Sequence, residues 1–160
     1  MKGLIVIGYQ GIGKSSCAGK ENCIDLESGN FWIGDSRYKN WFIPYCNIAM
    51  DLANQGYTVF TSSHKSVYEY YKSIPLLPKV GKIVIICPQM QLREEWVKRL
   101  YNRFSKSQSN KDFKALKNAE DRYEENIQEL MRSGLPVYQP SLMDYDLMDY
   151  VHKAKHDWCT

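Results

Sequence analysis

Residues 4–15 read LIVIGYQGIGKS: an apolar run, Leu4 to Ile7, leads into Gly8, Gly13, Lys14 and Ser15 at the spacing G-x-x-x-x-G-K-S. A continuous, partly β-branched apolar run bounded by glycines predicts a strand buried on both faces, as in a parallel sheet. The spacing that follows is that of a phosphate-binding loop. Average residue usage would produce it by chance in about half a percent of chains this long. Its place between a strand and a helix start narrows that further. Gly8, Gly11 and Gly13 let the backbone curl, so that successive N–H groups through Ile12 and on to Ser16 point at anionic oxygens. A helix beginning near Lys14 adds the positive end of its dipole. The Lys14 ammonium is expected to reach the β and γ phosphates of ATP or GTP, and the Ser15 hydroxyl to ligate Mg²⁺.

Outward from this loop the chain alternates strand and helix patterns. Asn22 to Leu26 predict a second strand, and residues 28–40 a loop rich in Gly, Ser and Asn. Tyr45, Ile48, Ala49, Leu52 and Ala53 mark one face of a helix that starts near Pro44. Tyr57–Thr61 and Lys82–Cys87 read as strands, and Pro136–Gln139 as a last one. Helices are predicted over His64–Lys72, around Leu92–Leu100, from Phe113 to Gly134, and at the C-terminus. Ser105 to Asp112 (SKSQSNKD) is polar and reads as a flexible connection. This alternation argues for one layered α/β domain around a mostly parallel sheet.

Composition narrows the class. The 160 residues are 44% hydrophobic and 24% charged, a globular balance. No apolar run approaches the length of a membrane span, and MKGLIVIG is too short for a signal-peptide core. Five scattered cysteines, none in a CxxC pair, suggest neither a disulfide framework nor a zinc site, and a reducing cytoplasmic setting suits them. The net charge of +3 does not lead us to expect nucleic acid as a partner. Residues 81–112, however, carry seven Lys/Arg against three Asp/Glu, the local positive field that a bound polyphosphate needs.

Asp25 and Glu27 (IDLES) are an acidic pair at the end of the second strand, and ligands of parallel sheets sit beyond such ends. Asp25 can hold a metal-bound water or accept a proton from the attacking group. Glu27, two residues on, faces the same side and can hold the acceptor, with Arg37 in the same pocket. The third strand ends in Thr61-Ser62-Ser63-His64, without the aspartate that many such proteins carry there. Either Ser62 and Asp25 share the metal's water shell or catalysis is weak, and His64 reads as a helix-capping or surface residue in preference to a general base. Arg99 and Arg103 lie one helical turn apart and can neutralise a γ-phosphoryl group from a lid over residues 90–112. His152 and His156 are at helical spacing with no third ligand in view. Phe31, Trp32, Tyr38 and Trp41 can stack a base or belong to the core.

With these parts, the chain resembles the small P-loop kinases: the nucleoside monophosphate kinases and the gluconate and shikimate kinases. The resemblance covers about 110 residues. Asp25-x-Glu27 looks like the D-x-D of shikimate kinases, where the first acid serves the metal and the second the acceptor hydroxyl. Ser62 is similar to the serine at a strand end in gluconate kinases, and EEWVKRLYNR to their lid. The resemblance implies a three-layer α/β/α P-loop NTPase fold with a five-stranded parallel sheet of order 2-3-1-4-5. It also implies transfer of the γ-phosphoryl of MgATP to a small acceptor, foremost a (deoxy)nucleoside monophosphate, by a monomer or homodimer. The Tyr-rich, Lys-rich composition is similar to that of phage nucleotide-metabolism proteins. Two alternatives stand beside this: a sugar-acid-like acceptor hydroxyl, and a regulatory protein that binds nucleotide without turnover.

Overall fold

Leu4–Gly8 form strand β1, and every one of its residues is buried. A strand can be dry on both faces only at the centre of a sheet covered on both sides. The computed structural model describes residues 3–33, 36–37, 39–74 and 82–159; the side chains of Asn30, Trp32, Ile33, Ser36, Arg37, Trp158 and Cys159 lie outside the described set. Within it, β2 is Cys23–Asp25, β3 Trp32–Ile33, β4 Ser36–Arg37, β5 Thr58–Ser62, β6 Ile83–Ile86 and β7 Val137–Tyr138. The helices are α1 (Lys14–Cys17), α2 (Phe42–Asn54), α3 (Lys65–Ser73), α4 (Arg93–Ser107), α5 (Asn110–Met131) and α6 (Leu147–Cys159).

β1 pairs in parallel with β5 on one side and β6 on the other, with Gly8 opposite both Ser62 and Ile86. β2 extends the sheet beyond β5, and β7 beyond β6, also in parallel. The order is β2-β5-β1-β6-β7. With the small β3–β4 hairpin set aside, the five strands rank 2-3-1-4-5 in chain order, as expected, with helices on both faces. Because all five run the same way, Gly8, Asp25 and Ser62 come to one edge, the carboxyl edge where α/β sheets bind ligands. No helix among the described residues is long and apolar enough to cross a membrane.

Two local readings need correction. Residues 28–40, expected as irregular loop, contain a 3-10 turn at Ser28–Phe31 and the antiparallel β3–β4 pair. Ser105–Asp112 is helix and cap instead of a flexible connection. α4 runs on to Ser107, Gln108 turns the chain at φ 54°, and the Ser109 hydroxyl accepts from the Asp112 N–H at 3.1 Å to start α5. Asp112 accepts a hydrogen bond from the Ser107 hydroxyl and pairs with Arg103 at 3.0 Å. The polar residues that looked like a linker are the capping set of a tight helical hairpin.

The sheet's entry point is crowded. The Gly3 N–H donates to Ala53 O at 2.9 Å, and a Cβ on Gly3 would stand 2.1 Å from Tyr57 O and 2.5 Å from Ala53 O. Both obstacles are backbone, so the clash can be relieved only by moving Gly3 away from the end of α2 and from the turn that leads into β5. Gly3→Ala is expected to lower the unfolding free energy by about 3 kcal/mol. Urea denaturation followed by circular dichroism reads this, and a loss under 0.5 kcal/mol would contradict the packing.

Candidate active site

A trans peptide points its carbonyl and the following N–H in opposite directions, so holding one aims the other. In the Gly8–Ser15 loop three successive carbonyls are held by side chains from elsewhere in the fold. Trp96 Nε1 donates to Gln10 O at 2.8 Å, Arg99 to Gly11 O at 3.1 Å, and the Tyr145 hydroxyl to Ile12 O at 2.8 Å. The Gln10 side chain is itself anchored on α5, donating to Ala115 O and to Asn118 Oδ1. These clamps turn the N–H groups of Gly11 and Gly13 to the opposite side. Lys14 and Ser15 open α1, where N–H groups have no intrahelical acceptor. Four donors can therefore converge on an anion. The N–H groups of Ile12 and Ser16, also expected in the cradle, close turns onto Tyr9 O and Gly13 O at 3.1 Å each. α1 spans only four residues, so the oriented amides outweigh its dipole.

Gly11 shows how closely α4 presses on this loop. Its φ is 85°, and a Cβ there would lie 3.0 Å from Leu100 Cδ2 and 3.1 Å from Trp96 Nε1. Trp96 is fully buried, its ring near-parallel to that of Tyr145. The Arg99 guanidinium lies 4.5 Å from the Trp96 ring centroid and 5.4 Å from that of Tyr145. It also donates to Tyr145 Oη and Met143 O. Arg99, expected to face a phosphoryl group, makes three hydrogen bonds within the protein, which bolt α4 to the loop and to residues 143–145 and leave two of its five N–H groups outside them. Arg103 is likewise paired, with Asp112. The first turn of α5 brings Lys111 instead, its Nζ 2.6 Å from Glu27 Oε2.

Charges of both signs gather at this edge. Lys14 Nζ donates to Gly8 O at 3.0 Å. Burial lowers its pKa to about 8; Asp25 and Glu27 pull it back up, and Lys111 and Arg103 push it down. Burial holds the Asp25 carboxyl above its ordinary value against the opposing pull of Lys14. Burial alone would raise Glu27 too, but the Lys111 hydrogen bond and charge, with help from the Gly29 backbone, bring it below its ordinary value. Tyr45 ties the strand ends together: its hydroxyl donates to Leu26 O at 2.7 Å and accepts from the Ser62 N–H at 2.8 Å. His64 caps α3, with Nδ1 accepting from the Ser66 N–H, and its own N–H donates to Ser62 Oγ. Phe31 and Trp41 pack edge-on against Tyr45, which favours core over base stacking for these two. The Arg37 and Trp32 side chains and Tyr38 lie outside the described residues. His152 pairs with Glu21 at 2.6 Å.

Beside the loop a cleft of about 400 Å³ is lined by Gly13, Ser16, Lys20, Arg99, Tyr145 and Asp146 among others. Trp96, Tyr145 and Lys111 are site residues that sequence reading missed. The repeated LMDY at 142–150 was the one local sign of Tyr145, which packs edge-on against Tyr150 of the second copy. Nothing local distinguishes Lys111 from the lysines around it.

The sheet order, the loop after its central strand and the covering helices define an α/β P-loop fold. No family model and no curated protein matches the sequence. Among solved structures, a gluconokinase from Sinorhizobium meliloti 1021 is similar with a TM-score of 0.52 and 13% identity, over 96% of this chain and 89% of that one. At that identity the likeness is one of fold.

Arg99→Ala removes hydrogen bonds to two carbonyls and a hydroxyl. It is expected to cost about 2 kcal/mol in urea denaturation. Hydrogen exchange should also accelerate at Ile12, whose N–H donates to Tyr9 O in the peptide that Arg99 holds, and unchanged exchange there would refute the clamp.

Proposed function

We propose that this chain is an ATP- or GTP-dependent phosphotransferase that moves the γ-phosphoryl group to a small acceptor, foremost a (deoxy)nucleoside monophosphate, with a sugar-acid-like hydroxyl as the second acceptor class. The observation that carries this reading is the clamped loop itself: carbonyls held outward at Gln10, Gly11 and Ile12, on the same sheet edge as Asp25.

The residues present fit a magnesium triphosphate. The amides of Gly11, Gly13, Lys14 and Ser15 receive phosphate oxygens, and Lys14 exchanges Gly8 O for the β and γ groups. The Ser15 hydroxyl and the Asp25 carboxylate are hard oxygen donors suited to Mg²⁺, which keeps several waters and phosphate oxygens and needs no third protein ligand. Among the described residues no group of three His, Cys, Asp or Glu could cage a metal alone. Bound there, Mg²⁺ would supply charge neutralisation on the phosphate oxygens. In transfer, an acceptor oxygen bonds to the γ phosphorus as the bond to the β–γ bridging oxygen breaks, and the nucleoside diphosphate leaves with that electron pair. Where the acceptor is a hydroxyl, Asp25 stands at the sheet edge to accept its proton. Glu27 holds the acceptor. Arg99 serves through the loop it holds.

Calorimetry with MgATP and MgGTP tests the cradle. Lys14→Ala is expected to weaken binding by about 100-fold while the unfolding midpoint of the empty protein stays close to wild type. Asp25→Asn is expected to keep that affinity within about threefold and to cut kcat by about 100-fold or more. Equal nucleotide affinity in Lys14→Ala would end this reading.

Binding should also weaken in alkali, with a definite sign. The ammonium form of Lys14 binds phosphate, and in the empty protein that form is lost above about pH 8. The dissociation constant should be flat below pH 7 and rise toward about tenfold per unit above pH 8. A flat profile to pH 9.5 would show that the ammonium is not depressed.

A further inference from the structure

We propose that Lys111 and Glu27 together read the acceptor, and that their ion pair stands in for a ligand carrying an anionic group beside a hydroxyl. The anion takes Lys111 and the hydroxyl takes Glu27. This rests on the phosphotransferase reading above and specifies its acceptor.

Four observations lead here. The partners are 84 residues apart in sequence and meet at 2.6 Å only because the α4–α5 hairpin crosses to the end of β2. They stand at the reacting edge, since the Lys14 ammonium feels both charges, together with that of Asp25. The arginines of α4 hold partners within the loop and the helical hairpin: Arg99 bonds Gly11 O, Met143 O and Tyr145, and Arg103 pairs with the buried Asp112. Finally, the side chains of Lys111 and Glu27 remain 60% and 40% exposed. An ion pair that wet adds little to stability, so a ligand can exchange into it at little cost.

The chemistry of the exchange defines the ligand. An ammonium on a four-carbon stem can follow an anion without backbone movement. A carboxylate that loses its cation has only acceptor atoms and needs a donor in return. A neutral polyol would satisfy Glu27 and strand Lys111, whereas a bare anion would satisfy Lys111 and face Glu27 with like charge. A hydroxylated anion satisfies both. Nucleoside monophosphates and sugar acids share that chemistry, and the ligands compared below separate them.

The test is calorimetric titration of the full chain loaded with the Mg²⁺ complex of a non-hydrolysable ATP or GTP analogue. The ligands are the four deoxynucleoside monophosphates, their uncharged deoxynucleosides, gluconate and glucose. At least one anionic ligand should bind about tenfold or more tighter than its uncharged parent. Lys111→Met should erase that preference, and Lys111→Arg should keep most of it. Glu27→Gln should move the other way, leaving the anion bound as tightly or tighter while its turnover falls; a merely structural ion pair would weaken binding alike in both single variants. Equal affinity for charged and uncharged ligands, a preference that survives Lys111→Met, or binding of none of them to the loaded protein each overturns the proposal and leaves the donor cradle standing. Failure of both analogues to bind takes down the phosphotransferase reading and this one with it.

Discussion

The direction of three peptide planes is the constraint on which the rest of the site depends. A chain of glycines can curl in many ways, and most of them offer an anion a mixture of N–H and C=O groups. Here Trp96, Arg99 and Tyr145 each take one carbonyl of residues 10–12, which leaves the amides of Gly11 and Gly13 on the opposite side. The donors come from α4 and from the segment before α6, so the shape of the loop is set by packing the helices onto the sheet. With α1 only four residues long, this clamping takes over what a longer helix would contribute through its dipole.

The same packing explains the electrostatics of the edge. Lys14 is desolvated and the pKa of its ammonium lowered, while Asp25 is partly desolvated and the pKa of its carboxyl raised. Opposite charges that are each under-solvated respond strongly to a charged ligand. The neutral end of β5 fits this arrangement. Ser62 gives its N–H to Tyr45 and its hydroxyl to the start of α3, so that strand end acts as a brace. The acids are carried one strand further out, on β2.

Much of the fold was legible because its signals are local. The buried run Leu4–Ile7, the glycine spacing after it and the alternation of strand and helix patterns follow from side-chain periodicity and backbone freedom. The order 2-3-1-4-5 came with the family resemblance that those motifs carried, and the sheet has it. The site was legible only in part. Arg99 and Arg103 were recognised as a charged pair on a helix, yet charge says nothing of which acceptor lies within reach. Their partners are backbone carbonyls and a buried acid. Ser105–Asp112 was misread because Ser, Asn and Asp favour linkers and caps alike, and only the path of the flanking helices distinguishes the two.

The sequence by itself determined the loop, its lysine and serine, the strand that delivers it and the acidic pair two residues apart. These depend on neighbours within a few residues. Tertiary structure alone decided that Arg99 holds Gly11 O, that Tyr145 holds Ile12 O from 133 residues away and that Lys111 faces Glu27. The physical reason is that a hydrogen bond or ion pair is set by distance and direction in space, and for residues this far apart in the chain those are fixed only once the helices have packed on the sheet.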